Sequence, residues 1–169
     1  MAKGIFIAEN MASTKVGSLL RSATQATAIE NGALVKLDGL VSGEIDLYNA
    51  KPIAAITDVA YIVDGVELIA DESTTKGLDD FENPANVAFR VRKPQVGDRF
   101  SISESMITAL STTVVVDNIA EIPATGNKLA EVAKLTGATA TATLVCNIVD
   151  RWTFGTRVIP MVRLEVVKA

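Results

Sequence analysis

The sequence predicts a mainly β chain: a single antiparallel β-barrel or sandwich-like domain, one or two short helices, and an N-terminal arm. Three stretches carry that expectation. In 87–107, Val87, Phe89 and Val91 alternate with Ala88, Arg90 and Arg92, and Phe100 and Ile102 resume the alternation after a break. Period two puts one face in the core and the other toward polar surroundings. Over 59–70, two β-prone runs flank Asp64-Gly65, a pair suited to a type I′ hairpin turn. Over 139–167, alternation runs through Ala140, Ala142, Leu144 and Ile148, turns at 150–155, and returns through Val162, Leu164 and Val166.

Residues 1–30 form a lead-in unlike the rest, rich in Ala, Ser and Thr and poor in alternation; the β-rich domain is expected over 31–169. The lead-in is either loosely packed or an arm that orders on a neighbour. Ile5, Phe6 and Ile7 are apolar without a periodicity of their own, so they are expected to dock on another subunit. Short β runs follow at 33–37, 44–48 and 51–56; Pro52 suits a strand start or an edge. Gly97 turns the corner between 87–92 and 99–103, with Asp98 as its capping residue. Helices are expected at 104–110, with Ser101 and Glu104 as a capping box, and at 128–135, where Leu129, Val132 and Leu135 recur at helical spacing before Gly137.

The C-terminal strand is apolar at its even positions, and Ile159 and Met161 add apolar groups to the opposite, charged face. A strand apolar on both faces is covered on both. In a domain this small, a second copy of the chain is the expected cover for Ile159 and Met161. Trp152 and Phe154 at the hairpin tip either anchor an interface or fold back to close the end of the barrel.

Composition narrows the chemistry. The 169 residues suit one domain, nearly half are apolar, and the net charge is −4 with charged residues at 21%. Low charge with high hydropathy points to surface covered by other chains. The acidic balance argues against a nucleic-acid partner. No apolar run is long enough for a membrane helix, and the N-terminus lacks a signal peptide's apolar core, so synthesis in a cytoplasm is expected. There is no histidine, which removes the commonest general base and metal ligand. The one cysteine, Cys146, lies in an apolar alternation and reads as a buried side chain. No nucleophile elbow, phosphate loop or dinucleotide fingerprint occurs. The expectation is therefore no catalytic residue, no cofactor and no metal. The acidic run at 71–86 holds Asp71, Glu72, Asp79, Asp80 and Glu82, but at spacings unlike a calcium loop; it reads as a solvated loop pinned by Leu78 and Phe81.

The runs GALVKLDG at 32–39, YIVDGVELIAD at 61–71, LDDFENPAN at 78–86 and FRVRKPQVGDRFSIS at 89–103 together resemble capsid decoration proteins of tailed bacteriophages, over about residues 15–110. The resemblance implies a structural virion protein without enzymatic activity that binds major capsid subunits on the outside of the shell, often as a trimer. It carries no functional residue over individually. Other virion subunits (major capsid, tail-tube or connector protein), a cellular β-barrel binding module and a cryptic hydrolase are the competing classes.

Overall fold

The computed structural model describes residues 3–66 and 77–169. It contains two β assemblies. Strands β2 (Leu20–Thr24), β3 (Leu34–Leu40), β4 (Leu47–Lys51), β5 (Tyr61–Val63) and β6 (Phe89–Arg92) close a five-stranded barrel in the order β2-β4-β3-β5-β6. Strands β1 (Phe6–Asn10), β7 (Arg99–Ser103), β8 (Ile107–Thr108), β9 (Ile119–Glu121), β10 (Leu129–Val132), β11 (Val145–Phe154) and β12 (Ile159–Lys168) form a seven-stranded sheet, ordered β1-β7-β12-β11-β9-β10-β8. Pairing is antiparallel except at β2–β4 and β8–β10. The expected class, mainly β with a barrel, is what forms.

The stretch 87–107 is not a hairpin. Its first strand, β6, belongs to the barrel and pairs with β2 and β5; its second, β7, pairs with β1 and β12 in the sheet. The corner between them therefore carries the chain from one assembly to the other. Gly97 sits there at φ +90°, where a Cβ would be strained. Asp98, almost wholly buried, accepts hydrogen bonds from the amides of Gln95 and Ala12 (2.9 and 2.8 Å), so the corner is fixed to the N-terminal segment.

One large core cluster joins Ala23, Leu34, Val35, Ile62, Val63 and Val91 of the barrel to Phe100, Ile102, Ile148, Val162 and Leu164 of the sheet. A second, smaller cluster lies on the other face of the sheet around Ile5, Ile159 and Met161.

Several expectations are corrected. The lead-in is not a separate arm: β1 is an edge strand of the sheet, β2 is a barrel strand, and Ile5, Phe6, Met11 and Ala23 are buried within the chain. The segment 128–135 forms strand β10 (Leu129–Val132) running into a turn, not a helix. Leu129 and Glu131 point inward together, and the Glu131 carboxylate accepts from the amides of Val115 and Leu110 and from Asn118 Nδ2 (2.8, 3.3 and 2.8 Å). Glu104–Met106 is one 3-10 turn that runs into β8, without a side-chain cap from Ser103. Gly65 does not take the left-handed conformation of a type I′ turn. Instead it is clasped by Asn31, which donates to the Gly65 carbonyl and accepts from its amide (3.1 and 2.9 Å). The second arm of the expected 59–70 hairpin lies largely outside the described residues. The C-terminal hairpin forms as β11–β12, though 139–144 precedes it as a loop. Pro160 stands one residue before β7 joins β12, where its missing N–H interrupts no β7–β12 bond.

Candidate interaction surface

Six of the seven residues expected at an interface converge on the outer face of the seven-stranded sheet. Cross-strand register aligns Ser103, Met161 and Trp152, and the next pair is Ile159 with Phe154. Met161 is fully buried, Ile159 is 8% exposed and Ile5 1%, with Ile7, Leu78, Trp152 and Phe154 packed around them. Trp152 and Phe154 meet edge to face at 5.9 Å. The cover over Ile159 and Met161 is thus the chain's own N-terminus, the loop at Leu78 and the hairpin's two aromatics, not a second copy. Phe6 points the other way, into the large cluster, against Phe100. Of the seven residues, only Ile7, Trp152 and Phe154 stay part-exposed.

Beside this apolar patch runs a polar row. Trp152 Nε1 donates to Ser101 Oγ (3.3 Å), Ser101 Oγ donates to Glu9 (2.5 Å), and Arg163 Nε donates to both Glu9 oxygens (3.0 and 2.8 Å). The hairpin tip is tied down as well. Arg157 Nη1 reaches Asp79 and Asp80, each at 2.9 Å, and these carboxylates strengthen its hold on its proton. Lys3 Nζ donates to Glu82 at 2.6 Å, which raises its pKa in the same way. The described carboxylates of the acidic run are therefore paired with cations of the chain; Asp71 and Glu72 lie outside the described residues. Among the described residues no three or more His, Cys, Asp or Glu side chains come together in a way that could hold a metal ion. Nor is any described helix long and apolar enough to cross a membrane. Cys146 is fully buried, and burial pushes its thiol far above the ordinary range.

Other surface features fall where the sequence reading placed none. Ile45 is 84% exposed at the tip joining β3 to β4, and Leu135 stands fully exposed in the turn after β10. A concave groove of about 340 Å³ opens where barrel and sheet meet, lined by Val59, Pro94, Ala140 and Leu144 with Lys93 and Lys168. The local signal for the first was in the sequence: Ile45 sits between Glu44 and Asp46 just after a turn glycine, Gly43 at φ +86°. The groove had no comparable signal, because its walls come from four separate parts of the chain.

Comparison of the chain with protein-family models, with curated proteins and with solved structures finds no match.

Proposed function

We propose that this protein is a structural component of a bacteriophage particle that binds major capsid subunits on the outer surface of the shell, acting by binding rather than catalysis. In this reading it is made in the host cytoplasm, assembles as a homo-oligomer, by the family resemblance a trimer, and resides on the virion. The observation that carries the reading is the distribution of apolar surface. Two β assemblies share one core, yet Ile45, Leu110 and Leu135 are 84%, 64% and 102% exposed in three separate loops. Large aliphatic side chains held out by a rigid frame are what a docking protein offers to larger surfaces. The resemblance of 32–39, 61–71, 78–86 and 89–103 to decoration proteins supplies the kind of partner.

The test is mass spectrometry and imaging of purified particles. The expected result is this chain in fixed ratio to the major capsid protein, with its density on the shell exterior. Its absence from particles would overturn the reading; density along the tail or at the connector would replace it with another virion role.

A further inference from the structure

We propose that copies of this chain associate head to tail, with the β3–β4 tip of one copy entering the groove between barrel and sheet of the next. The two surfaces carry opposite charges beside apolar groups. The tip presents an aliphatic side chain between two acids. Ile45 is 84% exposed, Glu44 and Asp46 are exposed, and neither acid makes an ion pair among the described residues. The tip is held in shape by its own backbone: the Val41 amide donates to the Leu47 carbonyl (2.8 Å) and the Glu44 amide to the Val41 carbonyl (3.0 Å). A preformed tip loses little conformational freedom on docking.

The groove presents the opposite charge, a mainly apolar lining that includes two lysines and the hydroxyls of Thr141 and Thr143. Val59, Pro94, Ala140 and Leu144 line a volume of about 340 Å³, enough for a branched aliphatic side chain with its neighbours. Lys93 and Lys168 are among its lining residues. Lys168 Nζ donates to the Ala140 carbonyl (2.9 Å), and neither lysine forms an ion pair among the described residues. The nearby Asp58 is already engaged by Lys36 at 3.2 Å and by the amides of Ala54 and Ala55. The lysines are left to meet an incoming acid. That both halves occur on one chain selects a second copy as the occupant.

Tip and groove are different surfaces, so the contact is heterologous. It closes into a ring if the rotation per copy divides a full turn, and otherwise runs on as a filament. This deepens the homo-oligomer part of the proposed function, yet it is read in solution without any capsid, so its failure is distinguishable from failure of shell binding.

The experiment is sedimentation velocity over a concentration series reaching about 1 mM, where a contact of one side chain and a few charges becomes populated. Wild type should associate, less so as salt rises. Glu44→Lys with Asp46→Lys, and separately Lys93→Glu with Lys168→Glu, should each weaken association at least about tenfold, since like charges then face each other. Ile45→Ser should weaken it while leaving the salt dependence. The deciding arm mixes the two charge-reversed variants, which are mutually complementary and should recover association. Several results would overturn the proposal: a monomeric wild type throughout, association indifferent to both reversals, or no recovery in the mixture. A groove variant that loses shell binding while self-association persists would also overturn it, giving the groove to the capsid protein.

Discussion

Asp64 is the residue whose loss should cost the scaffold most for the least change in shape. Its carboxylate lies just past β5 and is 13% exposed. It accepts from Arg92 Nε at 2.5 Å and from Arg90 Nε and Nη2 at 2.9 and 2.7 Å. The two arginines are not equivalent. Arg90 is 39% exposed and can turn to water, so its pairing is worth at most about 1 kcal/mol. Arg92 is 9% exposed, and among the described residues its other side-chain partner is Ser13 Oγ at 3.1 Å. Asp64→Ala would leave that guanidinium buried with one neutral hydrogen bond, and stranding one member of a buried pair costs about 3–5 kcal/mol. The lower end applies here because Ser13 remains. For a domain of this size about 3 kcal/mol lowers Tm by roughly 6–12 °C. Urea unfolding followed by far-ultraviolet circular dichroism and by Trp152 fluorescence measures it. Trp152 reports on the sheet, so separate transitions would reveal that the barrel opens alone. Arg92→Met added to Asp64→Ala should restore much of the loss, because both charges are then gone. A loss below about 1 kcal/mol for Asp64→Ala, the level of an exposed pair, would refute the reasoning.

The other expectations concern burial and titration. Met161→Ala should destabilise by about 2–5 kcal/mol while light scattering shows an unchanged mass, since Met161 is covered within the chain; dissociation of a folded oligomer would contradict that assignment. Cys146 should resist thiol reagents in the native state and react at the rate of unfolding, because it is fully buried and its thiol is held protonated. Asp58 titrates below its ordinary 3.8, chiefly through the Ala54 amide and then Lys36. A carboxyl depressed on folding stabilises above its unfolded pKa, and that contribution fades as pH falls through the lower folded value. Asp58→Asn should therefore flatten the dependence of stability on pH below about 4, and an unchanged acid slope would exclude Asp58 from it.

The period-two pattern was a reliable guide wherever a strand had one buried face and a neighbour in the same assembly. Hence β7, β11 and β12 were legible, and so was Cys146. It could not distinguish which assembly a strand joins: β6 and β7 follow one another across a single corner, yet each hydrogen-bonds elsewhere. The error at 128–135 has a physical source. Leu129, Val132 and Leu135 do fall at helical spacing, but Glu131 is an inward-facing carboxylate that organises the 110–118 loop, and a buried charge is invisible to an apolar pattern. Asp64-Gly65 was misread for a similar reason. The pair suits a tight turn locally, but the long-range demands of Arg90, Arg92 and Asn31 fix it as a junction. The outer-face cluster was half legible: Ile5, Trp152, Phe154, Ile159 and Met161 were singled out, and what sequence could not show was that they cover one another.

That last point changes where a partner would be met. The apolar face of β12 that demands a second cover receives it from Ile5, which arrives because the Ile5 amide donates to Ser103 Oγ (2.8 Å) and β1 continues along β7. Once this face is satisfied inside the chain, Ile7, Trp152 and Phe154 stay exposed only in part, and the most exposed large aliphatics among the described residues, Ile45, Val96, Leu110 and Leu135, lie in loops far apart in sequence. An assembly surface made of separated tips differs from one made of a sheet face. A sheet face binds through area and tolerates single changes, whereas a tip binds through one side chain in one cavity and fails when that side chain is removed. Single substitutions at Ile45 or Leu135 should therefore abolish a contact without lowering Tm, and the same change at Ile159 should lower Tm without selecting any contact. A scan of these three positions, read in parallel by thermal unfolding and by particle binding, separates the two architectures; equal effects of all three on both readouts would contradict the assignment of tips as the binding elements.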